Sequence, residues 1–498
     1  MRLGRLLAAA GLDHAGSGAG DGADGAEVTG FAIDHRKVAP GTVFGAFQGA
    51  SVNGEDFIAD AVQAGAAAVV ARPQAQVVGA PHIADANPRR VFARLAAQFF
   101  TPVPDTIVAV TGTNGKTSTV EMARQIWRMA GERAASIGTL GVTTPDESVS
   151  TGLTTPDVVT FLGNLSGLAR EGVTHVAFEA SSHGLTQYRN EGVRPQAAAF
   201  TNLSRDHLDY HADMEDYFHA KMRLFDEVVA DGGTAVVWME AEADDWSRRA
   251  VEHARRRGLA VMTVGAGGDA IRLLSREPTQ LGQTLTIEHG GAARAITLPL
   301  IGAYQAANAL VAAGLAIATG TPAQQVWDAL GRLQPVRGRL ERAAISPAGA
   351  PVYVDYAHTP DAITAAIAAL RPHVRNRLIT VLGAGGDRDH GKRGPMGRAA
   401  ADGSSVVIVT DDNPRSEDAA GIRAAVLAGA GAKAREIGDR RAAIHAAIAE
   451  AGEGDIVLIA GKGHEQGQIV GPNAEAGTEM RVLPFDDVTV ARECAGGR

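Results

Sequence analysis

The sequence predicts an α/β protein of three domains. At 498 residues the chain is too long for one hydrophobic core, since single cores stop growing near about 250–300 residues. Short apolar runs alternate with helical spacing along most of the chain, which is typical of βαβ units around parallel sheets. Two proline-containing segments, 101–105 and 333–338, interrupt this alternation and indicate boundaries. We therefore expect domains at residues 1–100, 101–335 and 336–498.

The elements expected in the first domain are short. Arg2 and Arg5 precede an apolar run that Asp13 ends, and no cleavage site follows, so we predict a helix rather than a signal peptide. An Ala/Gly/Asp-rich stretch at 15–26 predicts a loop. A helix is expected at 57–63, and strands at 29–33, 42–47 and 67–71.

The second and third domains repeat the alternation with longer elements. Helical spacing through Met122, Ile126 and Met129 follows the first strand of the central domain. Strands are expected there at 106–111, 173–178, 197–200 and 234–238, and in the third domain at 351–355, 378–382, 406–410 and 456–460.

Composition excludes several classes of protein. The chain has 47 Lys and Arg against 56 Asp and Glu, a formal net charge of −9, which argues against a nucleic-acid partner. No apolar run approaches the roughly 18 residues that a membrane span needs. The single cysteine, Cys494, excludes a disulfide scaffold and fits a reducing compartment, so we expect a cytoplasmic protein.

A phosphate-binding loop is the strongest single motif. In VAVTGTNGKTS, residues 108–118, a strand leads into a glycine turn that opens a helix, where backbone N–H groups surround a phosphate. Lys116 would reach the β- and γ-phosphates, and the Thr117 hydroxyl would bind Mg²⁺. Val110 stands where the general motif has a glycine. The residues expected to bind ATP here are Gly112, Thr113, Asn114, Gly115, Lys116, Thr117 and Ser118.

Polar residues follow two further strands of the central domain. Glu179 ends one strand and leads into ASSHG, and NLSRDHLDYH at 202–211 follows another. Because open α/β sheets bind ligands at the carboxyl ends of their strands, these side chains are candidates for metal binding and phosphate chemistry.

Taken in chain order, these motifs resemble those of the Mur ligases, which build the peptide stem of peptidoglycan in the cytoplasm. The resemblance covers nearly the whole chain. It rests on TGTNGKT at 111–117, TTPD at 154–157, EASSH at 179–183, DHLDYH at 206–211, DYAHTP at 355–360, GGDRD at 385–389 and GKGHE at 461–465. It implies a central domain like the P-loop ATPases and a Rossmann-like third domain.

The resemblance also implies the chemistry. In this family ATP phosphorylates a substrate carboxylate, and an amine attacks the resulting acyl phosphate. Mg²⁺ would be held by Thr117, Glu179, His207 and Lys221, the last as a carbamate (N6-carboxylysine). Lys116, Glu179, His207 and Lys221 are thus the implied catalytic residues, while Asn308, Arg339 and Asp355 would complete the ATP site. Tyr304-Gln305 stands where the family has Phe-Asn.

The implied acceptor is UDP-N-acetylmuramoyl-L-alanyl-D-glutamate. The first domain resembles a UDP-binding module in which Ile33, His35 and the loop 50–52 match uridine contacts, although the family generally has serine at His35. Residues matching contacts to the muramoyl dipeptide are Thr154, Thr155, Ser181, Gln187 and Arg189. Hydroxyls beside an amide and a guanidinium suit an anionic sugar ligand.

The motif DNPR at 412–415 resembles that of family members that add meso-diaminopimelate. This amino acid carries a second carboxylate, which a guanidinium binds through two hydrogen bonds. Arg388 and Arg415 would each bind one carboxylate, and Gly461 and Glu465 the distal ammonium. The full set expected at the amino acid is Arg388, Asp412, Asn413, Pro414, Arg415, Gly461 and Glu465.

Three alternatives remain open at this point. A lysine-adding ligase would use the same chemistry with another amino-acid pocket. For Arg415 itself, the alternative to binding a carboxylate is that it caps a helix or pairs with Glu417 on the surface. A folylpolyglutamate synthetase is more distant, and a nucleotide-binding regulator would have lost catalysis. We expect a monomer that closes its third domain over ATP.

Overall fold

The computed structural model describes residues 1–12, 25–49, 52–144, 146–149, 153–242, 244–471 and 480–496. Most of the loop expected at 15–26 lies outside these residues, as do Ala50 and Ser51 of the loop expected to contact uridine. The three sheets described below lie within 1–100, 101–335 and 336–498, while the boundaries themselves stay a prediction. No helix in the described residues is long and apolar enough to cross a membrane.

The first domain is a parallel four-stranded sheet in the order β1-β2-β3-β4 among the described residues. Helix α3 begins after Asn87, whose side chain accepts a hydrogen bond from the Arg90 backbone N–H, and Pro88 takes the first helical position. Phe92 on its apolar face packs edge-on against Phe31 of β1. The elements are α1 Leu3–Ala9, β1 Gly30–Ala32, β2 Thr42–Gly45, α2 Ile58–Gln63, β3 Ala68–Ala71, β4 His82–Ala84 and α3 Pro88–Phe99.

The central domain contains an eleven-stranded mixed sheet within the described residues. Its order is β15-β14-β13-β12-β11-β10-β5-β9-β6-β7-β8, in which the pairs from β13 to β6 are parallel and those at both edges antiparallel. The strands are β5 Thr106–Thr111, β6 Ala134–Gly138, β7 Gly141–Thr143, β8 Ser148–Val149, β9 His175–Glu179, β10 Ala197–Phe200, β11 Thr234–Trp238, β12 Ala260–Gly265, β13 Ile271–Thr279, β14 Gly282–His289 and β15 Ala292–Leu298.

Helices cover both faces of this sheet. On one face α4 and α9 pack together over buried valines of the central strands, and on the other α5 packs against α3, so the hydrophobic core continues into the first domain. The helices are α4 Lys116–Met129, α5 Val158–Arg170, α6 Ser182–Thr186, α7 Met214–Arg223 with a π-helical extension Leu224–Val228, α8 Asp245–Arg256, α9 Ala303–Ala318 and α10 Ala323–Leu330.

The third domain has a six-stranded sheet, as far as the described residues show, in the order β16-β17-β21-β18-β19-β20. All pairs are parallel except β16 with β17, and a separate hairpin is formed by β22 and β23. The elements are β16 Glu341–Ile345, β17 Pro351–Asp355, α11 Pro360–Leu370, β18 Leu378–Leu382, α12 Arg393–Gly403, β19 Val406–Val409, α13 Ala419–Ala430, β20 Ala434–Glu436, α14 Arg440–Glu450, β21 Ile456–Ala460, β22 Gly467–Val470, β23 Arg481–Pro484 and α15 Asp487–Gly496.

Candidate active site

Three neighbouring strands of the central sheet end at the same level. Thr111 of β5 lies opposite Phe200 of β10, and Val110 lies opposite Glu179 of β9. Because these strands are parallel, the phosphate-binding loop, Glu179 and the segment after Phe200 meet at one edge of the sheet. The sequence motifs are thus brought together by strand register.

The loop between β5 and α4 depends on two glycines at positive φ. Gly112 has φ +140°, and a Cβ there would collide with Thr201 Oγ1; Gly115 has φ +88°, and a Cβ there would collide with Asn308 Oδ1. Both positions therefore exclude a side chain by backbone conformation and by space. The close approach at Gly115 also places Asn308 of α9 directly behind the loop.

The expected nucleotide residues hold the loop in shape. The Asn114 N–H donates to Asn202 Oδ1 at 3.0 Å, and Thr113 Oγ1 accepts from the Ser204 N–H at 3.0 Å. Lys116 Nζ donates to the carbonyl oxygens of Gly112 (2.9 Å) and Thr113 (2.8 Å). Burial lowers the pKa of Lys116, although the charge of Glu179 opposes this shift. Ser118 is buried in the first turn of α4.

Glu179 is 1% exposed and held by one residue that the sequence did not indicate. Its Oε1 accepts from the Thr139 N–H at 2.7 Å, and its Oε2 accepts from Thr139 Oγ1 at 3.2 Å. A Cβ at Gly138 would collide with the same carboxylate. The turn after β6 therefore sets the position of Glu179.

Lys221 on α7 is buried beside the phosphate-binding loop. It is 1% exposed, its Nζ donates to the Gly112 carbonyl oxygen at 2.8 Å, and it lies 4.2 Å from the centroid of the Tyr217 ring. Burial, and after it the charge of Lys116, lowers the pKa of Lys221 well below its usual range. Burial at this position therefore favours the uncharged amine over the ammonium.

Asp206 and His207 lie where the central and third domains meet. Asp206 Oδ2 is 3.9 Å from His358 Nε2, and Asp206 Oδ1 is 3.7 Å from Lys392 Nζ. Burial raises the pKa of Asp206, but the charges of His207, His358 and Lys392 outweigh it, so the carboxyl stays ionised. Burial and the charge of Lys116 lower the pKa of His207, whose side chain is 42% exposed.

The third domain also contacts the phosphate-binding loop through Arg339. Its Nη2 donates to Thr117 Oγ1 at 2.9 Å, and its guanidinium lies 4.5 Å from the Tyr356 ring centroid. Gln305 Nε2 donates to the Arg339 carbonyl oxygen at 3.0 Å and Gln305 Oε1 accepts from Asn308 Nδ2 at 3.3 Å. Asn308, Arg339 and Thr117 thus form one connected group across the two domains.

Asp355, the last residue of β17, is held by the same junction. The Leu340 N–H donates to Asp355 Oδ2 at 2.6 Å, and the Tyr304 hydroxyl donates to the same oxygen at 3.2 Å. Burial raises the pKa of Asp355 to about 6. Tyr304 stands where the family has phenylalanine, which has no hydroxyl. The Tyr304 hydroxyl therefore helps to fix the Asp355 carboxylate of the third domain.

A cleft of about 1540 Å³ separates the central and third domains. Its central wall is lined by Thr154, Thr155, Ser181 and Arg189, four of the residues that the sequence predicts to contact the muramoyl dipeptide. Thr155 Oγ1 lies 2.9 Å from Ser181 Oγ, and Arg189 donates to the Thr155 carbonyl oxygen and to Gln187 Oε1, both at 2.8 Å. Gln187 directly follows α6, so the end of this short helix positions both residues.

The opposite wall carries the residues expected at the amino acid. Arg415 has φ +53°, and its Nη1 donates to the Gly386 carbonyl oxygen at 2.7 Å, while Glu417 pairs instead with Arg393 at 2.8 Å. The surface pair of Arg415 with Glu417, considered from the sequence, is therefore wrong. Arg388, Asp412, Asn413, Arg415, Gly461 and Glu465 line the cleft, and Pro414 lies between Asn413 and Arg415.

A buried lysine organises this wall. Lys462, with no exposed side-chain surface, donates to Asn413 Oδ1 at 2.9 Å and to Glu465 Oε2 at 3.1 Å, and lies 3.9 Å from Asp412. Asn413 Nδ2 also donates to Glu465 Oε2 at 2.7 Å. Neither Lys462, although it lies in the GKGHE motif, nor Lys392 was given a role from the sequence. Their contacts with Asn413 and Asp206 join distant parts of the chain.

The expected uridine residues lie beyond β1 in the first domain. Ile33 is 37% exposed, and the His35 ring stacks parallel on Phe57 with centroids 4.2 Å apart. His35 therefore presents an aromatic face where the family has a small hydroxyl side chain.

The chemistry of the donors around the phosphate-binding loop fits Mg²⁺. In the described part of the chain, no three His, Cys, Asp or Glu side chains are grouped so as to hold a metal ion unaided. Thr117 and Glu179 nevertheless supply oxygen atoms, and Mg²⁺ usually takes one or two protein oxygens together with substrate phosphates. The residues present therefore suit a metal that arrives with a nucleotide.

Comparisons with known proteins match three consecutive parts of the chain. The model described as "Mur ligase family, catalytic domain" matches residues 27–100, "Mur ligase middle domain" matches 110–316, and "Mur ligase, glutamate ligase domain" matches 338–463.

Two curated relatives carry the same name, UDP-N-acetylmuramoyl-L-alanyl-D-glutamate–2,6-diaminopimelate ligase. The chain is 59% identical to the one from Zymomonas mobilis over 466 residues, covering 94% of each, and 53% identical to the one from Bradyrhizobium diazoefficiens, covering 93% of each. A solved structure of a ligase of that name has a TM-score of 0.66 at 33% identity and covers 94% of this chain and 95% of that one. The Mycobacterium tuberculosis folylpolyglutamate synthase complexed with ADP shows likeness of fold alone, with a TM-score of 0.61 at 20% identity, over 74% of this chain and 89% of that one.

The three-domain architecture and these matches define an ATP-dependent ligase that forms amide bonds. Within that class, the identity of 59% over nearly the full length shows that the chain belongs to the Mur ligase family. The fold class expected from the sequence is confirmed.

Proposed function

We propose that the protein adds meso-diaminopimelate to the D-glutamate of UDP-N-acetylmuramoyl-L-alanyl-D-glutamate in peptidoglycan precursor synthesis. One observation carries the proposal: the cleft has Thr155 and Ser181 on one wall and the group formed by Arg415, Asn413 and Glu465 on the other. The relatives' names support the same substrates. These substrates also favour a location in the cytoplasm, as the sequence suggested. A monomer would suffice for the reaction, because one chain supplies both walls of the cleft.

ATP would bind at the phosphate-binding loop. The backbone N–H groups of the loop would donate to the phosphates, and the amino group of Lys116 would move to them from the Gly112 and Thr113 carbonyl oxygens. Mg²⁺, held by Thr117, Glu179 and His207, would offset the repulsion between the phosphates and the attacking carboxylate. Arg339, Asn308 and Asp355 lie where they would contact the remainder of the nucleotide.

The reaction would proceed in two displacements. A carboxylate oxygen of D-glutamate attacks the γ-phosphorus, the bond to the bridging oxygen breaks, and ADP leaves. The uncharged amine of the incoming amino acid then attacks the acyl carbon, inorganic phosphate leaves, and the amine gives up a proton as the amide forms. Lys116 and Arg339 would stabilise the charge on the transferred phosphoryl group.

Lys221 would act as a carbamate. Carbamylation needs an unprotonated amine, and burial together with the charge of Lys116 favours that form. The carbamate oxygens would give the metal an anionic ligand. Lys221→Ala should lose activity and regain part of it with a short carboxylic acid such as acetate, whereas no rescue of a folded variant would contradict the carbamate.

The amino-acid wall would distinguish diaminopimelate from lysine. Arg388 and Arg415 would each bind a carboxylate of diaminopimelate, and lysine has only one. Glu465 and Asp412, with the carbonyl of Gly461, would bind the distal ammonium.

The deciding experiment measures phosphate release with ATP, Mg²⁺ and the UDP-muramoyl dipeptide, with meso-diaminopimelate and L-lysine offered separately. Turnover with diaminopimelate alone is expected, and Lys116→Ala should abolish it. Turnover with lysine alone would keep the ligase chemistry and contradict the assignment of the amino acid. No turnover with either, from folded protein, would contradict the proposed function.

A further inference from the structure

Arg89, the second residue of α3, is anchored at the carboxyl end of β2 in the first domain. Its Nη2 donates to the Gln48 carbonyl oxygen at 2.9 Å, and its guanidinium lies 4.8 Å from the centroid of the Phe47 ring. Since β1 and β2 are parallel, Arg89 lies at the same sheet edge as the residues after β1, His35 among them. It thus borders the expected nucleoside site.

Arg189 carries a second guanidinium close to the first. It is fixed on the central wall of the cleft by the Thr155 carbonyl oxygen and Gln187 Oε1, both at 2.8 Å. Burial, and after it the charge of Arg189, lowers the pKa of Arg89. The next residue of α3, Arg90, pairs with Glu191 at 2.9 Å, so this ion pair brings Arg89 and Arg189 to the same junction of the first and central domains.

Neither guanidinium has a carboxylate partner within 4.0 Å among the residues that the structure describes. Asp157 acts on Arg189 only from a longer distance. The adjacent Arg90, in contrast, pairs with Glu191 at 2.9 Å and with Glu227 at 3.3 Å. In the described part of the chain, Arg90 is therefore paired at short range, whereas Arg89 and Arg189 have no carboxylate within 4.0 Å.

Partly buried like charges without a counter-ion are unfavourable, and a bound anion would relieve them. A guanidinium recognises phosphate through parallel hydrogen bonds, and two guanidiniums match a diphosphate. The proposed substrate has a nucleoside for the first domain at one end and a carboxylate for the phosphate-binding loop at the other. The diphosphate of this substrate lies between its two ends. In the same way, Arg89 and Arg189 lie between the expected nucleoside site and the phosphate-binding loop.

We propose that Arg89, together with Arg189, binds the diphosphate of the nucleotide-sugar substrate. The inference rests on the proposed function for the identity of the substrate. It assigns to the first domain a charged contact separate from the nucleoside contacts.

Binding of UDP and of uridine to the full-length protein tests the inference without turnover. By titration calorimetry, Arg89→Ala should weaken UDP binding at least about tenfold and leave uridine binding within about twofold of the parent protein. Arg94→Ala is the matched control, since Arg94 lies on the same helix, is mostly exposed and contacts the Ala10 carbonyl oxygen. It should bind both ligands as the parent does.

Kinetics with two acceptors then locate the contact. For UDP-N-acetylmuramoyl-L-alanyl-D-glutamate, Arg89→Ala should raise KM at least about tenfold with kcat little changed. For N-acetylmuramoyl-L-alanyl-D-glutamate, which lacks UDP, parent and variant should have the same KM. Arg89→Lys, which keeps the charge without the planar group, should fall between them and serves as the test if the alanine variant does not fold.

Equal losses for UDP and uridine, or no loss for either, would overturn the inference. An increase in KM that persists with the UDP-free acceptor would show instead that Arg89 binds a carboxylate of the dipeptide. If the proposed function is wrong, the parent protein will release no phosphate. The binding of UDP and of uridine can still be compared in that case, because it does not depend on turnover.

Discussion

At the scale of single residues, backbone strain is concentrated around the cleft. Non-glycine residues with positive φ cost about 1–3 kcal/mol each and persist only where the surroundings hold them. Arg415 is held by its N–H to the Ile469 carbonyl oxygen and by its Nη1 to the Gly386 carbonyl oxygen. The described residues of this kind are Tyr188, His207, Leu340, Asp387 and Arg415.

Sequence motifs indicated the residues with reactive groups but not those that position them. Lys116, Glu179 and Arg415 lie in recognisable motifs, and the structure places all three at or beside the cleft. Thr139 was missed because its hydrogen bonds reach Glu179, 40 positions away. Lys462 lies in the GKGHE motif, but its hydrogen bond to Asn413 spans 49 positions and was missed. Such contacts depend on strand order, which local sequence patterns do not contain.

Arg415→Lys tests the recognition of the amino acid. Lysine keeps the charge but cannot donate two parallel hydrogen bonds, so the KM for meso-diaminopimelate should rise at least about tenfold while that for ATP stays unchanged. Steady-state phosphate release measures both constants, and the exposed Arg398→Lys is the control. An unchanged KM for diaminopimelate would contradict the assigned role.

Asp355→Asn should change how stability depends on pH. The pKa of Asp355 is raised from 3.8 to about 6, so its contribution to stability is fully present below 3.8 and is lost as the pH rises through about 6. An amide does not ionise, so the variant should gain stability relative to the parent from about pH 4 to 6, on the order of 1–3 kcal/mol, and keep it above.

Thermal unfolding of both proteins at about pH 5, 6 and 8 checks this expectation. The exposed Asp402→Asn should show no such trend. A difference between Asp355→Asn and the parent that does not vary with pH would contradict it.

At the scale of elements, strands buried on both faces were the best predicted. The bounds of β5, β10, β11, β17, β18 and β21 agree with the expected ranges, because continuous apolar runs between glycine and proline turns have few alternatives. The antiparallel strands β13, β14 and β15 were missed. β13 is exposed over most of its length, and the charged residues in IRLLSREPT interrupt the apolar pattern.

Gly138→Ala tests the link between a turn and the candidate site. The added Cβ would collide with the Glu179 carboxylate and push it away from Thr139, so kcat should fall at least about tenfold. Gly167→Ala is the control, since nothing lies within 4 Å of a Cβ there and the residue is inside α5. It should keep full activity and gain about 0.5–1 kcal/mol of stability. Equal activity of the two variants would refute the role of this turn.

At the scale of the whole molecule, charged contacts join the domains at the cleft. Asp206 meets His358 and Lys392, and Arg205 approaches Asp389 at 3.8 Å. The proline-containing segments at 101–105 and 333–338 predict where the linkers between the domains lie. These contacts were not, because pairing across a cleft depends on how whole domains are oriented.

Lys392→Ala should loosen the junction of the central and third domains. Asp206 would lose one of its positive neighbours in a mostly buried site, which costs about 1–3 kcal/mol. Small-angle scattering should show a larger radius of gyration than for the parent, reversed by ATP with the muramoyl substrate. Arg398→Ala removes an exposed charge from the same domain and should scatter like the parent. A variant as compact as the parent would show that Lys392 does not hold the domains together.

The hydrogen bond from Arg339 to Thr117 has a kinetic consequence. The Thr117 hydroxyl, which is expected to face the metal–nucleotide complex, accepts a hydrogen bond from the Arg339 guanidinium of the third domain. This hydrogen bond has to break before the hydroxyl can contact a bound nucleotide and its metal. Association would then have a unimolecular step before the bimolecular one. The observed binding rate would level off at high nucleotide concentration, and the plateau would report how often the two domains part.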